Sequence, residues 1–212
     1  MTTKRTDIKY YWGDDPSDWR GYSMLGWPGH PDLDNWIDII NNTIPDTGDI
    51  LICGTARGGD VMALRRLLKN TDRHITVIDS FKGLGEPHEK DKGTILKEGD
   101  FSYSKKEYLS FFDKTCTKPP DEIHQLWIND KNLKKVKKRE LALLFVDVDQ
   151  YSPAKACYEY FIPWVMEDGL VLTHDYNFEG TPGVKIAAEE YAPGRWEQVY
   201  GSLHKLNHNE NS

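Results

Sequence analysis

Leu141 to Val146 are six consecutive apolar residues, and the run ends in Asp147 and Asp149 with one valine between them. A run this short and this apolar suits a strand buried on both faces. Such a strand needs helices above and below its sheet. The rest of the chain supplies the alternation. Strands are predicted over "DILICG" (49–54), "HITVID" (74–79), "EIHQLWI" (122–128), "ELALLFVD" (140–147) and "LVLTHD" (170–175), with "WEQVYG" and "SLHKLN" as a closing pair. Helices are predicted over 58–70, 103–115, 152–168 and 181–192. Val61, Leu64, Leu67 and Leu68 carry the helical spacing of the first, and Ser104 with Glu107 forms a capping-box pattern at the second. Ser152 is read as the N-cap of the third, with Pro153 at its first position. The lysine-rich piece 131–142 reads as a solvated turn or short helix. The fold class that follows is α/β, doubly wound, with a mostly parallel seven-stranded sheet whose last strand is antiparallel.

Composition narrows the functional classes. A chain of 212 residues suffices for one α/β domain, here placed at 45–212. A net charge of −7 argues against a nucleic-acid binder, which shows a basic footprint. Cys53, Cys116 and Cys157 are too few and too scattered for a disulfide framework. No apolar run reaches the 18 residues of a membrane span, and the first residues lack the apolar core of a signal peptide. The expectation is a cytoplasmic protein with no membrane partner. Residues 1–44 hold Trp12, Trp19, Trp27 and Trp36 and read as an aromatic-rich extension, a lid or an interface, the last compatible with a homo-oligomer.

In open α/β sheets ligands bind beyond the carboxyl ends of the strands, so the residues delivered there matter most. The first strand delivers "GTARGGD", where glycines permit a tight turn and close approach to a ligand. It is neither G-x-G-x-x-G nor a phosphate loop. The second delivers Asp79, placed to accept hydrogen bonds from a ribose diol. The fourth delivers Asp147 and Asp149, which share a face if the strand persists; the fifth delivers His174 and Asp175. A divalent cation would relieve the cost of collecting these acids. Asp147 as a helix cap and Asp175 paired with a lysine is the plainer alternative.

Taken together, "TGDILICGTARGGDVMALRRLL", "VIDSFKGLGEP", "GDFSYSKKEYLSFF", "LWINDKNL" and the stretch from "LLFVDVDQYSP" to "VKIAAEEY" resemble the macrocin O-methyltransferase family. The resemblance spans roughly residues 45 to 192. It implies a class I, Rossmann-like methyltransferase that uses S-adenosylmethionine and a divalent metal on a hydroxyl of a sugar or glycosylated natural product. It places the cofactor against Gly54, Thr55, Ala56, Arg57 and Gly58, with Asp79 on the ribose and Ser80 and Asp130 beside it. It makes Asp147, His174 and Asp175 the metal ligands and Asp147 or Asp149 the base. The metal would be Mg²⁺ or Mn²⁺, and the imidazole shifts preference from Mg²⁺ toward Mn²⁺, Co²⁺ or Ni²⁺. The chain departs from the family's pattern at Ile52, where members carry a glutamate, and at His174, where they carry an aspartate. Those departures keep open a second reading, a nucleoside-binding module on a methyltransferase scaffold. An RNA or protein methyltransferase fits the acidic charge and the metal constellation less well.

Overall fold

The computed structural model describes residues 31–207, except the side chains of 31–34 and of Asp130. Trp12, Trp19 and Trp27, and with them the lid or interface reading, lie outside the described residues. The elements in chain order are α1 (Pro31–Thr43), β1 (Asp49–Cys53), α2 (Gly59–Leu67), β2 (Ile75–Asp79), α3 (Lys105–Lys114), β3 (Glu122–Gln125), α4 (Asp130–Leu133), β4 (Leu141–Val146), α5 (Tyr151–Phe161), β5 (Val165–Thr173), α6 (Pro182–Tyr191), β6 (Trp196–Tyr200) and β7 (Leu203–Leu206). Single 3₁₀ turns lie at Glu89–Asp91 and Ile162–Trp164.

The seven strands form one sheet in the order β3-β2-β1-β4-β5-β7-β6. The first five pair in parallel. β7 runs antiparallel between β5 and β6. Side chains alternate across the pleat, so each central strand feeds two cores. Ile50, Ile52, Leu143 and Phe145 face α1, α2 and α3, packing on Trp36, Val61, Leu64, Tyr108 and Phe112. Leu51, Cys53, Leu144 and Val146 face α5 and α6, packing on Ala154, Cys157, Phe161 and Ala187. Near-continuous apolar runs follow from burial on both faces. Trp36, fully buried, meets Phe145 edge to face at 5.4 Å and ties α1 into the first core. All three cysteines are free, with Cys53 and Cys157 buried.

The third predicted helix differs from the sequence expectation at both ends, each for a physical reason. The third helix ends at Phe161 rather than Asp168, because Pro163 cannot donate the next helical hydrogen bond; β5 starts at Val165. The same helix starts at Tyr151, with Gln150 rather than Ser152 at the N-cap. The Gln150 amide does not cap. It accepts from Gly85 N at 3.2 Å and donates to Gly85 O at 2.8 Å. The cap comes from elsewhere in the chain: Tyr151 N–H donates to Asp91 Oδ1 at 2.8 Å. At α3 the capping box forms as expected, Glu107 N to Ser104 Oγ at 3.2 Å and Ser104 N to Glu107 Oε2 at 2.8 Å.

Candidate active site

The strand order reverses direction between β1 and β4, and a crevice opens beyond the carboxyl ends at such a switch point. A cleft of about 680 Å³ lies there. Its wall includes Gly54, Thr55, Ala56, Asp79 and Ser80 from the β1 and β2 ends, and Asp147, Asp149, His174 and Asp175 from the β4 and β5 ends.

On the first side, Gly54 has φ +79 and sits against the β4 exit, with Gly54 N bonded to Ile78 O at 2.9 Å and Asp147 N to Cys53 O at 2.8 Å. A side chain there has no room, because a Cβ would lie 1.8 Å from Asp147 O. Asp79 accepts from Thr55 N at 3.0 Å and Phe81 N at 2.7 Å. Burial raises its pKa despite these hydrogen bonds. Arg57 and Gly58 do not line the cleft. Arg57 Nε donates to Tyr103 Oη at 2.8 Å, and its guanidinium lies 5.1 Å from that ring's centre. Gly58, at φ +83, starts α2 and backs onto Phe112 and Tyr108. Asp130 begins α4, and its side chain lies outside the described residues. Ile52 is fully buried in the first core and presents no polar group.

An acid the motif reading passed over lies behind this loop. Asp60 is 6 % exposed and accepts from Thr55 Oγ1 at 3.0 Å and Val61 N at 2.8 Å. Burial pushes its pKa from 3.8 up to about 8 against those bonds. The folded chain therefore holds this proton more tightly than the unfolded chain does. The resulting stability is fully present below the ordinary 3.8 and is lost as pH rises through about 8. Asp60→Asn cannot ionise, so it is expected to be more stable than the parent at pH 8, by roughly 2–4 kcal/mol and several degrees in Tm, with no gain at pH 4. Thermal unfolding at both pH values checks this. An equal difference at the two would show that Asp60 does not carry the proton.

On the second side β4 ends at Val146, so Asp147 and Asp149 do not share a strand face as the spacing suggested. The chain turns there, with Asp149 at φ +58, and the turn brings both acids to the cleft. Asp175 also sits at positive φ, +61, just past β5. His174 Nδ1 lies 3.2 Å from Asp147 Oδ1 and 3.0 Å from Asp175 Oδ1. Burial works against the imidazolium, but the charges of Asp175 and Asp147 outweigh it and hold the His174 pKa well above its usual value. Burial, then the charges of Asp175 and Asp147, push Asp149 up. Burial would raise Asp175 as well, yet His174 keeps it below the usual carboxylate range. Ser202, from the β6–β7 turn, reaches His174 Nε2 at 3.3 Å. Nothing in the sequence pointed to it, because only the folding of β7 beside β5 brings it in.

The ligand atoms of Asp147, His174 and Asp175 all lie within 4.8 Å of one another. Neighbouring ligands around an octahedral cation about 2.1 Å from each stand about 3 Å apart; the His174 Nδ1 contacts of 3.2 and 3.0 Å match that spacing, which makes the set a candidate site for a divalent ion. No helix among the described residues is long and apolar enough to cross a membrane.

Residues 3–199 match the model of the macrocin-O-methyltransferase (TylF) family. Among curated proteins, none matches. Solved structures do. The calicheamicin methyltransferase CalS11 is 18 % identical over 84 % of this chain and 79 % of its own, with a TM-score of 0.69. The O-methyltransferase NovP is 22 % identical over 90 % and 87 %, also at 0.69. An O-methyltransferase from Bacillus cereus, in complex with SAH, is 13 % identical over 94 % and 93 %, at 0.59. The sheet order and these likenesses give the class I methyltransferase fold, and the family match gives the activity class: the chain belongs to the macrocin O-methyltransferase family and is an S-adenosylmethionine-dependent O-methyltransferase.

Proposed function

We propose that this enzyme methylates a hydroxyl of a small molecule, a sugar or a glycosylated natural product, and that it works with a divalent cation held by Asp147, His174 and Asp175. The observation that carries the reading is the convergence of those three side chains in the same cleft as Asp79. When bound, S-adenosylmethionine supplies a methyl group on a sulfonium sulfur, and a divalent cation supplies charge that lowers the pKa of a hydroxyl beside it. The chain's own residues do the rest. Asp79, held by backbone N–H groups, faces the cleft as an acceptor for the ribose diol. The loop from Gly54 to Ala56 forms the wall beside it. Asp147 and Asp149 bring carboxylate oxygens to the cleft floor, where one takes the acceptor's proton. Fixing the two reactants in one cleft removes much of the entropy cost of their encounter. The acidic floor suits a small acceptor better than nucleic acid.

Release of S-adenosylhomocysteine over a panel of hydroxyl acceptors tests this reading; no turnover with any sugar or phenol would remove it. Asp79→Ala is expected to weaken S-adenosylmethionine binding by roughly 1–3 kcal/mol, the worth of a charge-assisted hydrogen bond. Calorimetric titration measures it. An unchanged Kd would mean that Asp79 serves only its own loop.

A further inference from the structure

The cleft's rim and its charge both bear on what the acceptor is. Ile95 is 67 % exposed and Phe178 is 45 % exposed, and both line the cleft on the β5 side. They are built in rather than dangling. Both pack over Gly180, where a Cβ would lie 2.6 Å from Phe178 and 2.9 Å from Ile95. Ile95 N donates to Gly180 O at 3.2 Å, Thr94 Oγ1 to the same oxygen at 2.7 Å, and Phe178 N to Asp175 O at 3.2 Å. A large apolar pair is thus fixed in an exposed position and tied to the Asp147, His174 and Asp175 group. Apolar surface left open in a concave site marks a place where a ligand covers it.

Outside the Asp147, His174 and Asp175 group, the described lining of the same cleft offers acids and no fixed positive charge. Among the described residues its lining carries Asp79, Glu86, Asp147, Asp149 and Asp175, and no lysine or arginine. Phosphate groups are held by arginine, lysine or free N–H groups at a helix start. At the start of α5, beside the cleft, Tyr151 N–H already donates to Asp91 Oδ1.

We propose that the acceptor is an uncharged hydroxyl compound with an apolar, aromatic body that seats on Ile95 and Phe178, and not a sugar nucleotide. This deepens the methyltransferase reading above and rests on it. The seat orients the hydroxyl toward the Asp147, His174 and Asp175 group, and a diphosphate elsewhere on the wall would meet no lysine or arginine among the described lining residues.

The experiment titrates the whole chain, saturated with S-adenosylhomocysteine and Mn²⁺, with neutral 4-nitrophenyl glycosides and with nucleoside diphosphate sugars of the same sugars. The aryl glycosides are expected to bind at least about tenfold more tightly. Phe178→Ser and Ile95→Ser should each weaken aryl glycoside binding about tenfold and leave S-adenosylhomocysteine affinity unchanged. Both side chains are exposed, so the variants should keep the parent's Tm. Sugar nucleotides binding as well as aryl glycosides, aryl glycosides failing to bind, or both variants binding them as the parent does would overturn the proposal. A first titration with S-adenosylhomocysteine alone separates the two levels. Its failure overturns the methyltransferase reading and the acceptor class together; its success followed by a preference for the diphosphate overturns the acceptor class alone.

Discussion

Asp175→Ala is expected to lower kcat by about 10³-fold or more while leaving the Kd of S-adenosylmethionine close to that of the parent. The reason is the division of the cleft. Asp175 sits at the β5 end and belongs to the group with Asp147 and His174, whereas the wall proposed for the cofactor comes from the β1 and β2 ends. A chelator should have the same effect on the parent, and added Mn²⁺ should restore turnover. The imidazole shifts preference toward Mn²⁺, Co²⁺ or Ni²⁺ over Mg²⁺, so His174→Asp should move it back toward Mg²⁺. The measurement is release of S-adenosylhomocysteine across metals and variants. Full-rate methylation in the presence of chelator would assign the positive charge between Asp147 and Asp175 to the His174 imidazolium instead of a cation.

The second large effect is on the fold. Gly54→Ala should destabilise the protein by roughly 2–5 kcal/mol, about 5–15 °C in Tm. Two costs add. The residue stands at φ +79, which alanine adopts poorly, and its Cβ would overlap Asp147 O at 1.8 Å. No rotamer relieves that overlap, because the backbone fixes the Cβ and the atom it meets is a backbone oxygen; β1 and β4 would have to separate at the mouth of the cleft. Gly93→Ala supplies the control. Gly93 has φ +100 but nothing within 4 Å of a built Cβ, so it carries the conformational cost alone. Thermal unfolding of the two variants side by side decides the matter. A Gly54→Ala protein that melts with Gly93→Ala would show that the strands accommodate the methyl group.

The central strands were legible because burial on both faces leaves an unbroken apolar run, as at Leu141–Val146. The polar residues at their ends were legible for the converse reason: an acid that closes such a run must find a partner or a ligand. Three things were not. The order β5-β7-β6 depends on where the closing hairpin inserts, and no local pattern encodes that. The turn at Asp149 depends on a left-handed conformation that the D-V-D spacing alone could not reveal. The wall of the cleft built from Leu84, Ile95 and Phe101 lies in a stretch with no helical or strand period, held by contacts remote in sequence. Arg57, which the family resemblance set beside the cofactor, is bonded to Tyr103, a contact the sequence did not announce.

The stretch between β2 and α3 is pinned at separate points: Gly85 by the Gln150 amide, Asp91 against the start of α5, and Thr94 and Ile95 on Gly180. Each anchor lies on the turn after β4 or the loop after β5, the same turns that carry the carboxylates. The Ile95 side chain is exposed although its backbone is one of these anchors, and Phe101, beyond the last of them, is exposed too. On the acceptor seat proposed above, chemistry and selectivity would occupy separable parts of one chain. Residues such as Ile95 and Phe101 can be exchanged to suit a different acceptor without disturbing the carboxylate cluster, so this excursion is the place to begin in redirecting the enzyme to a new molecule.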